Sequence, residues 1–520
     1  MTAPPTSRLT DIIRYDEAQR AYTPDALWAL FDGDRGQFNI GHECLDRHAA
    51  SGRTALRIAH ADGRTEDLSF VRLADRSSRF ANYLATQGIG PGERVAIMLD
   101  PGEAFYVALF GAMKRGAVAV PLFTLFGPDG IHLRLDDCTP RLLLTTSDKA
   151  GLVAPRPGLT VVVADAAFLA GLETHPPIWR CTTAASDMAM FQYTSGTTRE
   201  LPEAVRHTHR ALVVVMLAAL YGTGIRPGDR YFCPSSPAWG HGLWHGTLAP
   251  LAMGVTTGAY SGRFDPVRLM QALQDQNITT LSAAATHYRM MRGTGRARDF
   301  RFRISKLSYT GEPIDTATLA FIEDVFHTPA CSIYGTTEVG VVLVSYPGAP
   351  DFVPRPASLG KPVPGTRIEV QRPDGSPCAP EETGELKIWR RDGWVPSRDL
   401  GRIDADGYFW HAGRADDVII SAGWTMSAVE IEDALLKHPD VLEAAAIAVP
   451  DATRGQIAKA FIVSRRPGDA AFIEQLQDLV RTRLSAHEYP RQVAFVRELP
   501  KTPAGKINRT ILRQQEAAAR

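Results

Sequence analysis

The sequence predicts an α/β protein in which a large N-terminal domain is followed by a small α+β C-terminal domain. Three observations support this prediction. Helical and strand-like patterns alternate along most of the chain before residue 350, which is typical of parallel-rich sheets with helices. Short strands separated by Pro- and Gly-rich turns follow and predict a small β subdomain. The chain then alternates between strand and helix again over about one small domain's length.

The N-terminal pattern predicts strands and helices in alternation. Val71–Gln87 carries its apolar residues at helical spacing and is followed by a glycine. Arg94–Leu99 is a short apolar run that suits a buried strand, and Ala104–Arg115 is the next helix. Further short apolar runs predict strands at Ala117–Pro121, Leu142–Thr145 and Leu159–Val163. Because strand–helix–strand units place successive strands parallel, we expect parallel-rich sheets with helices on their faces.

The pattern changes near residue 350. Pro347–Pro364 is rich in proline and glycine, and the strand-like runs Thr366–Val370 and Gly384–Trp389 follow it. The C-terminal part then predicts, in order, a strand, a helix, two strands and a helix: Val418–Ser421, Ala428–His438, Leu442–Val449, Ala458–Val463 and Phe472–Leu484. The Ala-rich tail Gln515–Arg520 is predicted to fray.

Composition and charge argue against several classes of protein. The 57 basic and 57 acidic residues balance, whereas nucleic-acid-binding domains usually carry a basic excess, so no nucleic-acid partner is expected. Met1–Asp16 has no apolar run after its charges, and no stretch approaches ~18 apolar residues, so we expect neither a secretory signal nor a membrane span. The six cysteines are scattered without C-x-x-C spacing, which is typical of reduced thiols in a cytoplasmic protein.

The strongest local signal for chemistry is Tyr193-Thr-Ser-Gly-Thr-Thr198, which follows the apolar run Met188–Phe191. Hydroxyls, a glycine and exposed backbone N–H groups can surround an anion, and glycine lets the chain approach it closely. A Ser/Thr-rich turn without a ligand is the alternative. The sequence contains neither a Walker A loop nor a Gly-x-Gly-x-x-Gly after a strand, so those two phosphate-binding fingerprints are excluded.

More motifs follow in order along the chain: Thr310-Gly-Glu-Pro313, Tyr334-Gly-Thr-Thr-Glu338, Ser397-Arg-Asp-Leu-Gly401 with Gly413-Arg-Ala-Asp-Asp417, and Pro500-Lys-Thr-Pro-Ala-Gly-Lys506. With the first motif, this set resembles the superfamily of acyl-CoA synthetases, peptide-synthetase adenylation domains and firefly-type luciferases over nearly the whole chain. Each motif alone is weak, but together, in this order and spacing, they are specific. The resemblance implies an ATP-dependent, AMP-forming ligase that activates a carboxylic acid and passes it to coenzyme A (CoA).

The resemblance also implies a nucleotide site. A carboxylate and a guanidinium suit ribose hydroxyls, and Mg²⁺ prefers carboxylate and phosphate oxygens. The matching positions are Thr194, Ser195, Gly196, Thr197 and Thr198 for the triphosphate of ATP; Gly311, Glu312 and Pro313 beside the adenine; Tyr334 stacked on the adenine; Thr337 on the α-phosphate; Glu338 on Mg²⁺; and Asp399 and Arg414 on the ribose.

Two half-reactions in two domains are implied by the same resemblance. Residues 1–415 would carry the acid and ATP sites, and residues 416–520 would form a mobile domain that turns about Asp416. Lys506 would contact the substrate carboxylate and the α-phosphate, where a cation is needed because two anions meet. After acyl-AMP forms, the domain would rotate, and Gly423 would line the tunnel through which the CoA thiol arrives.

An acyl pocket is implied around Pro237-Ala-Trp-Gly-His-Gly242. The matching residues are Trp239, Gly240 and His241, together with Thr310 and Gly335. Short-chain members carry a bulky Trp where Gly335 stands, so glycine predicts room for a medium-chain, alicyclic or aromatic acid. His241 and His245 have a spacing that can bind zinc on a helix, but the intervening sequence lacks the expected glutamate, so core or pocket histidines are predicted.

The chain departs from the family pattern at two places. The usual Gly-x-Pro-Lys-Gly continuation of the phosphate loop is replaced by Arg199-Glu-Leu-Pro-Glu-Ala204, which puts Glu203 where a lysine is usual. Arg199, or alternatively Arg206, is predicted to compensate, because arginine binds phosphate bidentately. Thr425 stands where many acyl-CoA ligases have an arginine.

Other functions stay open on the sequence alone. An adenylating enzyme could use a carrier-protein thiol, an amine or water as acceptor, or activate an oxyanion such as nitrite for diazotisation. A non-catalytic nucleotide-binding protein is a third possibility, against which the intact Lys506 and Glu338 count. The expected partners are therefore a small carboxylic acid, ATP, Mg²⁺ and CoA, and a homodimer would be usual for the family.

Overall fold

The N-terminal part of the protein is built on two sheets. The computed structural model describes residues 8–193, 204–336, 339–414, 418–421, 424–451, 455–484, 489–502 and 507–518. The strands in its N-terminal part are β1 (Thr54–His60), β2 (Thr65–Ser69), β3 (Arg94–Met98), β4 (Val118–Pro121), β5 (Leu142–Thr145), β6 (Thr160–Val163), β7 (Met188–Gln192), β8 (Val205–Thr208), β9 (Arg230–Cys233), β10 (Thr256–Ser261), β11 (Thr280–Ala284), β12 (Lys306–Thr310), β13 (Cys331–Thr336) and β14 (Gly340–Val344).

Most neighbouring strands in these two sheets run parallel. One sheet has the order β6-β5-β3-β4-β7-β8, in which only the β7–β8 pair is antiparallel. The other begins β2-β1-β10-β9-β11-β12-β13-β14 and is antiparallel at β2 and at β14. The predicted parallel-rich α/β architecture is therefore confirmed.

Helices connect and cover these strands. They are α1 (Tyr15–Ala21), α2 (Pro24–Trp28), α3 (Ile40–Cys44), α4 (Phe70–Thr86), α5 (Glu103–Arg115), α6 (Pro128–Cys138), α7 (Ser147–Ala150), α8 (Ala166–Gly171), α9 (Ala211–Ala218), α10 (Ala249–Ala252), α11 (Pro266–Asp275), α12 (Ala285–Gly293) and α13 (Thr316–Phe326). Short 3-10 turns lie at Asp46–Ser51, Leu172–Thr174 and Ala297–Asp299, and π-helical segments at Ala219–Thr223 and His241–Leu248.

Local sequence signals explain the ends of the two helices predicted first. The Ser69 hydroxyl caps α4 by accepting a hydrogen bond from the Arg72 N–H at 3.2 Å. α5 ends at Gly116, whose φ of +78° is the left-handed conformation that glycine adopts without strain. The apolar faces of α4 and α5 pack against each other in the main core.

The small β subdomain extends the larger sheet. Its strands are β15 (Ser358–Pro362), β16 (Ile368–Gln371), β17 (Gly384–Arg390), β18 (Gly393–Ile403) and β19 (Phe409–Arg414). They pair antiparallel in the order β16-β17-β18-β19-β15, and β15 pairs with β14. A separate apolar cluster lies under this subdomain and includes side chains of β13 and β14. These two strands therefore contribute side chains both to this cluster and to the main core.

The C-terminal part forms its own small α+β unit. Its elements are β20 (Val418–Ser421), β21 (Trp424–Ser427), α14 (Ala428–Leu435), β22 (Val441–Asp451), β23 (Gly455–Ser464), α15 (Ala470–Arg483), β24 (Gln492–Phe495) and α16 (Arg509–Ala518). β22 and β23 pair antiparallel and β24 joins β23 in parallel, around a core of its own. The predicted class of this unit is confirmed, whereas the domain boundary at 415/416 stays a prediction.

One prediction about the C-terminal end is wrong. The tail predicted to fray is helical as far as Ala518, the last described residue. Leu512 of α16 is buried, and Glu516 accepts a 2.6 Å hydrogen bond from Lys459 on β23. An apolar anchor and an ion pair to the neighbouring sheet therefore hold this helix, which composition alone does not reveal.

Two expected absences concern the described residues. Among them, no helix combines the length and the apolar character needed to cross a bilayer. All six cysteines lie in the described ranges and none forms a disulfide. Four of the six are buried, so they pack as small apolar side chains.

Candidate active site

Several predicted site residues lie at the carboxyl ends of parallel strands. Thr310 ends β12, and Tyr334 and Gly335 lie in the last half of β13. The Thr310 hydroxyl donates a 2.8 Å hydrogen bond to the Ile333 carbonyl, which ties the two strand ends together. Ligands of open α/β sheets bind at this edge, because loops after parallel strands converge there. The structure therefore brings these predicted residues to one edge.

The predicted adenine and ribose residues meet across two strands. The Tyr334 hydroxyl donates a 2.6 Å hydrogen bond to Asp399 Oδ2, and His411 Nε2 lies 3.7 Å from the other carboxylate oxygen. Asp399 is buried, and in the register of β18 and β19 it stands opposite Arg414. The residue before it, Arg398, has a φ of +62°, so the backbone is strained where it presents this carboxylate. Hydroxyl, carboxylate and imidazole groups together can bind a polyol.

The turn after β12 is fixed by an ion pair that sequence reasoning missed. Gly311 has a φ of +96°, a conformation that favours glycine. The Glu312 carboxylate accepts hydrogen bonds from Arg289 and from the Thr286 hydroxyl on α12. Arg289 and Thr286 are three residues apart on a helix and share one face, but only the fold brings that face to Glu312. The side chain of Glu312 therefore holds the turn, while the position of Gly311, Glu312 and Pro313 beside the adenine stays a prediction.

The predicted acyl residues begin a π-helical segment. Trp239 is half-buried, and its ring lies 5.7 Å from that of His241. The imidazole of His241 bridges two serines, with Nδ1 at 3.0 Å from Ser235 Oγ and Nε2 at 2.8 Å from Ser282 Oγ. Burial lowers the pKa of His241 well below its usual range, so the ring is neutral at pH 7. His241 is thus a buried, hydrogen-bonded histidine, as predicted.

A second face of this segment reaches the strand that precedes the phosphate loop. The Trp244 indole N–H donates a 3.0 Å hydrogen bond to Gln192 Oε1 at the end of β7. A Cβ atom on Gly240 would come within 2.8 Å of the Gln192 amide nitrogen, so glycine permits this close packing. Burial lowers the pKa of His245 and of His207, which packs on Trp244, to about 4 each. We call Trp239, His241, Trp244, His245 and His207 the aromatic wall, in which all three imidazoles are neutral at pH 7.

Gly335 has a structural role that the sequence analysis did not foresee. A Cβ atom at this position would lie 2.1 Å from the Gly340 carbonyl oxygen and 2.6 Å from Val341 Cα. These atoms belong to β14, which pairs with β13 next to a β-bulge. The space that a larger residue would need is occupied by backbone. The interpretation of Gly335 as room left for the acid stays a prediction, and in this structure a larger residue at this position would also require β14 to move.

Other predicted residues lie outside what the structure describes. They are Thr194, Ser195, Gly196, Thr197, Thr198, Arg199, Glu203, Thr337, Glu338, Asp416, Gly423 and Lys506, together with the side chains of Arg414 and Thr425. Their implied roles, including Mg²⁺ binding by Glu338, stay predictions. Within the described ranges no group of three or more His, Cys, Asp and Glu residues could hold a metal ion.

The chain matches two family models and is similar to known proteins in both sequence and fold. A family model described as AMP-binding enzyme matches residues 45–392, and one described as the AMP-binding enzyme C-terminal domain matches residues 430–506. The chain is 29% identical to an acetyl-coenzyme A synthetase of Bacillus subtilis over 96% of its length and 95% of that protein. Its fold is similar to the crystal structure of a Brucella canis acyl-CoA synthetase, with 30% identity, a TM-score of 0.75 and coverage of 98% and 100% of the two chains. An anthranilate CoA ligase in complex with anthranoyl-AMP gives 26% identity, a TM-score of 0.84 and coverage of 93% and 99%.

Proposed function

The chain belongs to the AMP-binding enzyme family and is an AMP-forming acid–CoA ligase, and from that premise we propose that its acid is medium-chain, alicyclic or aromatic. The names of its relatives do not decide the acid, because they include ligases of acetate and of anthranilate at similar identity. The wall described above carries the proposal. Trp239 offers a flat aromatic surface, and the pKa of His245 and that of His207 are lowered to about 4.

A neutral wall favours an acid with an uncharged body. The His241 imidazole lies between serine hydroxyls and carries no charge at pH 7, because burial lowers its pKa. A substrate with a second carboxylate would need a cation to replace its lost hydration. An aromatic or saturated ring can instead pack on Trp239 by stacking and by apolar burial. The proposal depends on the character of the wall and not on the volume argument from Gly335, since a larger residue there would also have to displace β14.

We propose that the nucleotide lies at the junction of β13 and β18. Tyr334 and Asp399 already contact each other there, and a carboxylate that accepts hydrogen bonds suits a ribose diol. Glu338 and the phosphates of ATP would hold Mg²⁺, which would neutralise phosphate charge. Lys506 would supply the cation where the acid carboxylate meets the α-phosphate.

The proposed reaction has two steps, adenylation of the acid and transfer of the acyl group to CoA. A carboxylate oxygen of the acid attacks the α-phosphorus of ATP, the bond to the bridging oxygen breaks, and pyrophosphate leaves. The CoA thiolate then attacks the carbonyl carbon of the acyl-AMP, and AMP leaves as the thioester forms. Rotation of residues 416–520 about Asp416 between the steps would remove Lys506 and bring in Gly423.

The first experiment is a product assay by mass spectrometry with ATP, Mg²⁺ and a panel of acids, with and without CoA. The panel contains acetate, hexanoate, octanoate, cyclohexanecarboxylate, benzoate and aminobenzoates. We expect acyl-CoA and AMP from a bulky acid and little from acetate. Preference for acetate would refute the proposed class of acid. AMP that forms without acyl-CoA would point to a carrier-protein thiol, an amine or another acceptor.

A further inference from the structure

The hairpin of β17 and β18 holds the hairpin of β13 and β14 at two separate points. At one point, the Tyr334 hydroxyl donates a 2.6 Å hydrogen bond to the Asp399 carboxylate on β18. At the other, Arg390 Nη2, at the end of β17, donates a 3.0 Å hydrogen bond to the Val339 carbonyl. The two strand pairs are not neighbours in the sheet, since β19 and β15 lie between them. Side chains therefore make this connection.

Tyr334 and Val339 flank the residues that are predicted to bind the α-phosphate and Mg²⁺. Tyr334 precedes Gly335, and Val339 directly follows Thr337 and Glu338, which are predicted to bind the α-phosphate and Mg²⁺. Tyr334 and Val339 also both pack on the apolar cluster under the β subdomain. Because Tyr334 and Val339 are held in place before a ligand binds, ordering these two residues adds little entropic cost to binding.

Among the described residues, Arg390 has no acidic partner that would make it part of an ordinary ion pair. Within the described ranges no carboxylate pairs with its guanidinium, which donates to two backbone carbonyls, those of Val339 and Trp389. It is half-buried, and burial lowers its pKa. The hydrogen bond to Val339 is the one that reaches another segment of the chain, and a charged donor makes a stronger hydrogen bond to a carbonyl than a neutral donor does.

Two aromatic rings and a second guanidinium pack together at the turn next to Arg390. The neighbouring Trp389 packs edge-on against Trp394 with ring centroids 5.3 Å apart, and the Arg367 guanidinium lies over both rings at 5.4 and 4.8 Å. The turn is tight, because Arg390 pairs directly with Gly393 in the register of the two strands. Edge-on packing of the two rings, with a cation over both, favours this arrangement of the turn from which Arg390 reaches Val339.

We propose that Arg390 is a positioning residue for adenylation, which fixes the Val339 end of the stretch from Tyr334 to Val339 as Asp399 fixes its other end. The proposal rests on the proposed function, because it assumes that this stretch binds Mg·ATP. Arg390 acts through the Val339 backbone and needs no contact with the substrate.

The test compares Arg390→Met with Arg391→Met. Methionine keeps the aliphatic body of the side chain and removes the donor, and Arg391 is the exposed neighbour for which the structure gives no hydrogen bond or ion pair among the described residues. Measurements are the Kd of Mg·ATP by titration calorimetry without acid, and the KM values of ATP and of the acid in pyrophosphate exchange. For Arg390→Met we expect the Kd and the KM of ATP to rise about tenfold, the scale of one charged hydrogen bond, while the KM of the acid stays within about twofold. Arg390→Lys should recover part of the loss.

The other outcomes overturn the inference or separate it from the proposed function. Equal ATP affinity in Arg390→Met and Arg391→Met would show that the Val339 hydrogen bond does not position the nucleotide site. Equal increases in the KM values of ATP and of the acid would show general damage to the fold, and Arg390→Lys then serves as the folded variant for the same comparison. If the wild-type enzyme binds Mg·ATP but none of the tested acids supports pyrophosphate exchange, only the proposed class of acid would be contradicted. A wild-type enzyme that does not bind Mg·ATP would overturn both proposals.

Discussion

The Tyr334 hydroxyl donates a 2.6 Å hydrogen bond to the carboxylate of Asp399, although the two residues are 65 positions apart in the chain. The contact joins the carboxyl end of a strand in the main sheet to a strand of the β subdomain. Two side chains that we propose to touch different parts of one nucleotide are thus already in contact without it. Their mutual orientation is prepared by the fold, which lowers the entropic cost of binding.

Tyr334→Phe should weaken ATP binding while the aromatic ring remains. The change removes the hydroxyl that orients Asp399, so we expect the KM of ATP in pyrophosphate exchange to rise about three- to tenfold, the scale of one hydrogen bond. Tyr408→Phe is the matched control, because Tyr408 donates a 2.8 Å hydrogen bond to the Val353 carbonyl and has no proposed role in the site. Equal KM values in the two variants would contradict the proposed nucleotide position.

Gly335→Ala should destabilise the protein instead of only changing its choice of acid. The added Cβ would lie 2.1 Å from the Gly340 carbonyl oxygen, and relieving that overlap requires movement of β14. We expect a loss of about 1 to 3 kcal/mol in the free energy of unfolding, as for other overpacked sites, and lower activity on every acid. Gly171→Ala is the control, because Gly171 has helical φ and ψ angles and open space around it. A variant of normal stability that merely prefers smaller acids would contradict this expectation and support the interpretation of Gly335 as pocket room.

Predictions from sequence succeeded where local pattern and tertiary environment agree. Leu142–Thr145 was predicted as a strand with the bounds that are observed, because a central parallel strand is buried on both faces and therefore apolar throughout. The motifs around Tyr334 and Asp399 could be identified because their residue types are unusual together. By contrast, the Glu312–Arg289 pair and the Arg390–Val339 contact each join segments that only the fold brings together. The close approach of β14 to Gly335 likewise arises from a neighbouring strand and leaves no local signal.

Buried histidines should make the folded state sensitive to acid. Burial lowers the pKa of His207, His245 and His287 to about 4 each, below the ordinary value of 6.5. Between these values the unfolded chain binds protons that the folded chain does not, so stability should be greatest above about pH 6.5 and should fall as the pH drops toward 4. Urea unfolding at about pH 5 and about pH 7.5 measures this difference. His245→Gln should reduce the slope by one proton, about 1.4 kcal/mol per pH unit.

The exposed His327 provides the control for this prediction. His327→Gln should leave the pH dependence of the free energy of unfolding close to that of the wild type. If His245→Gln and His327→Gln give the same slope as the wild type, His245 is not held neutral by burial. The argument that a neutral wall favours an uncharged acid would then lose its main support.

Arg199 should carry the charge that the altered phosphate loop lacks. Glu203 stands where the family usually has a lysine, so without another cation the pyrophosphate would meet an added negative charge. Arg199→Ala should therefore raise the KM of pyrophosphate in the exchange reaction by about tenfold or more, because an arginine can bind phosphate through two charge-assisted hydrogen bonds. Adding Glu203→Lys to that variant should restore much of the loss by supplying the usual cation.

If Arg199→Ala leaves the pyrophosphate dependence unchanged, Arg206→Ala is the next comparison, since Arg206 is the other cation predicted to compensate. The Arg206 guanidinium lies 5.2 Å from the centre of the Phe191 ring on β7. An unchanged KM in both variants would mean that the loop binds pyrophosphate through backbone N–H and hydroxyl groups alone.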